Sequence, residues 1–141
     1  NDIAISCDYI VGFVNESEQD FNDAKAFIQQ CHFAFMHVFP YSRKKGTKAD
    51  SMKGHLNEVV KKQRTQEILA LADSLKCDYL NQSVNTKKNV LIESVKNGCS
   101  YGYSDDYCYV KVNSKLTIGS FYDVIIEKVN DDELEGKVQC Y

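Results

Sequence analysis

The chain has 141 residues, 43% of them hydrophobic and 26% charged, with a formal net charge of −3. These values suit one ordinary globular domain or two small ones, and the acidity argues against a generally basic nucleic-acid binder. No stretch approaches the roughly 18–20 apolar residues of a membrane-spanning helix, so no membrane partner is expected. The sequence opens Asn1-Asp2-Ile3, with neither an initiator Met nor a basic, apolar leader; a piece of a longer gene product is the expectation.

Ile5 to Phe13 is a short, nearly continuous apolar run, which fits a strand buried on both faces as in a parallel sheet. Ser17 followed by Asp20 is a shortened capping-box pair that predicts a helix start. Phe21, Ala24, Phe27, Ile28 and Cys31 then recur at three- and four-residue steps and give one apolar face. A second strand is predicted at Phe35 to Tyr41, around Pro40, the only proline. Strand, helix and strand read as a right-handed βαβ unit. Residues 42–56 are polar, basic and punctuated by glycine, so they form a loop. Asn57 caps a long helix reaching about Leu80, with Val60, Ile68, Leu71, Ala72, Leu75 and Tyr79 at helical spacing.

Beyond Leu80 the periodicity falls to two. Val90–Ile92, Tyr101–Tyr103, Tyr107–Val112, Phe121–Val129 and Leu134–Val138 are five strand candidates between turn signals such as Asn97-Gly98 and Asn130-Asp131-Asp132. Five short strands in about 60 residues suggest a small closed barrel of OB-like type. This part can bury its own core. The first part, with two parallel strands and their helices, reads as the end of a larger α/β barrel. The expected division is residues 1–77 and 78–141.

Charge is unevenly placed. The second part holds seven Lys/Arg against ten Asp/Glu, whereas Arg43, Lys44, Lys45, Lys48 and Lys53 form a local basic run opposed only by Asp50. Such a run is either a solvated loop or a phosphate-binding one. Six cysteines (7, 31, 77, 99, 108 and 140) lack Cys-x-x-Cys or zinc-like spacing. They read as free thiols used as small buried hydrophobes, and no metal site is assigned.

Asp8-Tyr-Ile-Val-Gly-Phe-Val-Asn-Glu-Ser-Glu-Gln-Asp-Phe21 resembles the stretch D-x-I-V-G-F-P-G-E-T-E-x-D-F of radical S-adenosylmethionine methylthiotransferases. His37-Val-Phe-Pro-Tyr-Ser-Arg-Lys-Lys-Gly-Thr-Lys-Ala49 with Met52 resembles the next strand and loop of that family. The tail, with Gly102-Tyr-Ser-Asp-Asp-Tyr107, is similar to its TRAM domain. The resemblance runs in order along essentially the whole chain. It implies an α/β plus all-β architecture: the last βα units of a partial TIM-like radical barrel, then a five-stranded TRAM β-barrel. Val14-Asn15 departs from the usual Pro-Gly, although Asn tolerates the left-handed conformation that such a turn needs.

The resemblance further implies a cytoplasmic transferase acting in tRNA modification. It would add a methylthio group to C2 of a modified adenosine beside the anticodon, most like the branch that takes N6-threonylcarbamoyladenosine. Alternatives are a non-catalytic RNA-binding fragment or the sister enzyme that modifies a ribosomal-protein aspartate. The implied cofactors are S-adenosylmethionine and two [4Fe–4S] clusters whose ligands lie outside this segment; the segment alone is expected to be inactive. The implied partners are tRNA and an electron donor, with the protein a monomer. Ligands of such folds sit at the carboxyl ends of strands. Val11, Gly12, Phe13, Phe39, Pro40 and Tyr41 are therefore candidates for S-adenosylmethionine, the alternative being plain core, and Arg43, Lys44, Lys45 and Lys48 are candidates for RNA.

Overall fold

The computed structural model describes residues 3–139. Residues 5–76 form one unit and the chain from Cys77 onward another.

In the first unit, β1 (Ser6–Val11) and β2 (Phe35–Pro40) pair in parallel, with Tyr9 opposite Val38 and Val11 opposite Pro40. They flank α1 (Glu18–Cys31). The shortened capping box closes fully: Ser17 Oγ accepts from the Asp20 amide at 3.1 Å, and the Ser17 amide donates to the Asp20 carboxylate at 2.9 Å. Two orphan amides of the first turn are thereby satisfied. Asn57 opens α3 (Glu58–Gln82), its side-chain oxygen accepting from the Val59 amide at 2.8 Å. The predicted loop holds one short helix, α2 (Lys48–Ser51), capped by Thr47.

Val11, Phe21, Ile28, Ile68 and Leu75 make the core of this unit. Phe27 does not join them and is 62% exposed. Phe21 and Ile28 lie seven residues apart, two turns on one line of the helix, whereas Phe27 is rotated about 100° off that line. The strands also correct the expectation of burial on both faces. Tyr9, Val11, Met36 and Val38 belong to the core cluster, but Ile10 and Phe39, paired side by side, are each more than half exposed.

The second unit is a closed barrel in the order β3-β4-β5-β7-β6. Its strands are β3 (Lys87–Lys96), β4 (Cys99–Ser104), β5 (Tyr109–Val112), β6 (Phe121–Asn130) and β7 (Glu133–Val138). Closure leaves no unpaired edge. Val90, Ile92, Val110, Val112, Val124, Ile126 and Leu134 are essentially inaccessible. β3 is far longer than the apolar triplet Val90–Ile92 suggests, because a register shift between Ile92 and Ser94 breaks the alternation, as a bulge does. Gly102 sits where β4 crosses β3: a Cβ there would lie 1.8 Å from the Leu91 carbonyl oxygen. Tyr107 is not a strand residue. It adopts φ 62° in the turn after β4, is 78% exposed, and its amide donates to Ser104 O at 2.9 Å.

The described cysteines are free. Only Cys108 is a buried hydrophobe, and its burial pushes the thiol up to about 11. Cys77 is exposed, and Cys7, Cys31 and Cys99 are half-buried. The same reading of Cys140 lies outside the described residues.

Candidate functional site

The carboxyl ends of β1 and β2 are tied together by the Tyr41 amide, which donates to Val11 O at 2.7 Å. Around this bond the structure gathers the six candidates from both strands in unlike roles. Val11 is fully buried among core residues, backbone included, and its carbonyl is taken by the Tyr41 amide, so among the six candidates it is core. Phe13 and Phe39 are 44% and 52% exposed, and Pro40 is exposed. Tyr41 is half-buried, with the Phe13 ring edge-on at 5.1 Å and the His55 ring stacked at 6.1 Å. The Tyr41 hydroxyl is buried without a hydrogen-bond partner.

Gly12 is needed for a reason that the sequence does not show. It has φ 75°, and a Cβ on it would lie 2.5 Å from Lys61 Cγ. The room vacated by the missing side chain is filled by this chain's own lysine. Lys61 runs buried beneath the turn, donates from Nζ to Tyr41 O at 3.2 Å and pairs with Glu58 at 2.5 Å. Its ammonium also lies 6.0 Å from the Tyr41 ring centroid.

The turn after β1 is held by a second buried cation. Arg64 Nη1 donates to a Glu16 carboxylate oxygen at 2.7 Å and to Glu16 O at 3.0 Å, and Nη2 donates to Glu18 at 2.9 Å. The other Glu16 carboxylate oxygen accepts from the Gly12 amide at 3.0 Å. Asn15 takes φ 64°, so the left-handed turn survives without Pro-Gly, and its amide donates to Gly54 O at 3.0 Å.

Lys61 and Arg64 were missed from the sequence because charged residues normally mark the solvated face. Their signal is spacing: 61, 64, 68, 71, 72 and 75 form one continuous helical stripe whose first turns are cationic. Val60, placed on the apolar face from the sequence, is 38% exposed.

The basic run divides. Arg43 is committed to the loop itself: Nε donates to Asp50 at 2.5 Å and Nη2 to Asp50 O at 2.9 Å. The hydrogen bond from Arg43, joined by one from the Gly46 amide, holds the Asp50 carboxyl below its ordinary range. Lys44, Lys45 and Lys48 are exposed, and their ammonium groups have no partner among the described residues. Arg43 thus fixes the loop that displays three free lysines.

Among the described residues there is no group of three or more His, Cys, Asp or Glu side chains able to hold a metal ion.

Three similar proteins align in sequence along nearly the whole chain. The chain is 35% identical over 98% of its length to the ribosomal protein uS12 methylthiotransferase RimO of Clostridium kluyveri, of which it covers 32%. It is 34% identical over 96% of its length to the threonylcarbamoyladenosine tRNA methylthiotransferase MtaB of Bacillus subtilis, of which it covers 31%. The chain belongs to the methylthiotransferase family. A tRNA-2-methylthio-N(6)-dimethylallyladenosine synthase of Bartonella tribocorum matches at 32% over 97% of the chain and 30% of its own length. No protein-family model matches. The chain therefore spans about a third of the length of these methylthiotransferases, and its five-stranded barrel agrees with a TRAM-like region.

Proposed function

We propose that this chain is part of a tRNA methylthiotransferase that adds a methylthio group to C2 of N6-threonylcarbamoyladenosine beside the anticodon. The observation that carries this reading is the match over 96% of the chain to a relative named for that nucleoside. The free lysines of the loop that directly follows β2 support an RNA substrate, since phosphate neutralisation dominates such binding. In the complete enzyme β1 and β2 are the last strands of a radical barrel, and the exposed face carrying Ile10 and Phe39 lines its interior. Bound S-adenosylmethionine supplies the radical chemistry that activates the adenosine carbon. This chain's own part is to position it. Phe13 and Phe39 offer aromatic surface to an adenosine, the Tyr41 ring backs Phe13, and Lys61 and Arg64 hold the turn that carries Gly12 and Phe13. The clusters and their electron donor act through residues elsewhere in the protein, which works in the cytoplasm.

The comparably similar uS12 methylthiotransferase favours a second reading, a protein substrate. One experiment separates them. The matching third of the Bacillus subtilis relative is replaced by this chain and expressed in cells lacking that relative. Mass spectrometry of tRNA nucleosides then reads the product. Methylthio-N6-threonylcarbamoyladenosine is the expected outcome. Its absence from a folded chimera that instead methylthiolates uS12, or a dimethylallyladenosine, overturns the assignment.

A further inference from the structure

The outer wall of the barrel carries an aromatic row that the proposed chemistry does not use. Tyr101 and Tyr103 on β4 alternate with the buried Ser100, Gly102 and Ser104, and Tyr109 on β5 precedes the buried Val110. All three phenols therefore face outward. The Tyr101 and Tyr109 rings stack at 6.0 Å with 18° between planes, and Tyr103 lies 5.1 Å from Tyr109. Strand register extends the row sideways. Tyr109 is opposite Tyr103, Tyr103 opposite Leu91, and Leu91 opposite Phe121, so one lateral line crosses four strands. Phe121 is 65% exposed and Tyr103 44%.

The charges beside this row are carboxylates. Strand register brings two of them to it: Val110 pairs with Leu134 and Ser94 with Tyr101, so Glu133 and Glu93 each stand one residue along from a pair that flanks the row, and after burial both help to raise the Tyr109 phenol. Neither has a side-chain partner among the described residues. Lys111, the cation opposite Tyr101, is already turned to Glu135 at 3.6 Å. Free carboxylates repel phosphate but accept hydrogen bonds from the amino groups of bases, while aromatic rings stack on any base. In OB-like barrels the outer face of the second and third strands, here β4 and β5, is the oligonucleotide-binding wall.

We infer that the wall of Tyr101, Tyr103, Tyr109 and Phe121 stacks unpaired bases of single-stranded RNA, with Glu93 and Glu133 selecting bases that carry an exocyclic amino group. This rests on the RNA reading above and adds to it. The barrel takes bases, and the phosphates are left to cations elsewhere.

The test titrates labelled oligo-A, oligo-C and oligo-U into the chain at low and high salt. Oligo-A and oligo-C bind more tightly than oligo-U, and the ratio between them changes little with salt, because the lysine loop meets the phosphates of all three alike. Tyr103→Ala and Phe121→Ala, both at exposed positions, each weaken oligo-A binding by roughly tenfold, and Tyr103→Phe restores it. Glu93→Gln with Glu133→Gln reduces the preference over oligo-U. Three outcomes overturn the inference. If the alanine variants bind oligo-A as the parent does, stacking is wrong while the RNA reading stands on the lysine loop. Equal binding of oligo-U removes the role of the carboxylates. A chain that ignores every oligonucleotide but binds an arginine-rich peptide loses both the inference and the RNA reading.

Discussion

Arg64 reaches from α3 to Glu16 at 2.7 Å, with side chains that are 8% and 11% exposed, and through that carboxylate it holds the Gly12 amide. A helix therefore sets the conformation of the turn at the end of β1. The guanidinium also lies 5.0 Å from the Phe21 ring centroid. Removing one partner of such a pair leaves the other charged and buried, at a cost of about 3 kcal/mol or more. Arg64→Ala is expected to lower urea-melt stability by that order. Arg64→Lys is expected to recover only part, since an ammonium cannot reproduce the forked contacts to Glu16 and Glu18. Full stability in Arg64→Ala would show that the turn is held by packing alone.

Asp106 gathers three donors in the barrel unit. Tyr79 donates at 2.7 Å, Ser104 at 2.6 Å, and Lys88 forms an ion pair with the same carboxylate, all beside a cavity of about 440 Å³. Burial opposes its charge, but hydrogen bonds from Lys88, Ser104 and Tyr79 outweigh that and hold the carboxyl below its usual range. A group depressed in the folded state contributes stability above its unfolded value, near 4, and loses that contribution as pH falls through the folded value. Thermal melts of the wild type should therefore lose stability below about pH 4. In Asp106→Asn the loss should be smaller, from a lower starting stability at neutral pH. Parallel acid profiles for the two proteins would remove Asp106 from this role.

The lysine loop is tested apart from its scaffold. Lys44→Ala, Lys45→Ala and Lys48→Ala together should weaken tRNA binding and flatten its salt dependence. With a slope of about 0.7 per phosphate contact on single strands, three lost contacts remove roughly 2 from the slope. Arg43→Ala should act differently, loosening the loop by freeing Asp50, with a smaller change in slope. Unaltered affinity of the triple variant at low salt would return the loop to a solvated surface.

The two units should differ in autonomy. Residues 77–141 close every strand edge around a buried core and are expected to melt cooperatively alone. Residues 5–76 keep a two-stranded sheet with Ile10 and Phe39 exposed on one face, and so small a sheet gains little from pairing. A cooperative melt for this piece alone would defeat the reading of an incomplete barrel.

Gly102→Ala should be among the most damaging single changes in the barrel, because the new methyl would meet the backbone of Leu91 and no side chain can rotate away. A chemical-denaturation midpoint equal to that of the wild type would show that β3 and β4 can shift apart without loss.

Much of this architecture was legible in the sequence because it depends on neighbours along the chain. The capping pair Ser17 and Asp20, the α1 stripe through Phe21 and Ile28, and the alternation around Val110 and Val112 are local patterns, and each specifies its element without distant help. Asn15 is similar, since its tolerance of positive φ is a property of the residue itself. The structure alone decided how side chains from separate elements meet. Lys61 and Arg64 look like solvated helix residues until β1 and β2 are placed beneath them. Then long side chains with apolar stems fill the space beside Gly12 and carry their charges to Glu16 and the Tyr41 carbonyl. Arg43 likewise read as a free cation, although the fold of its loop returns Asp50 to it. The tyrosine row was invisible for the same reason: residues 101, 103, 109 and 121 belong to three strands, and only strand register brings them into one line.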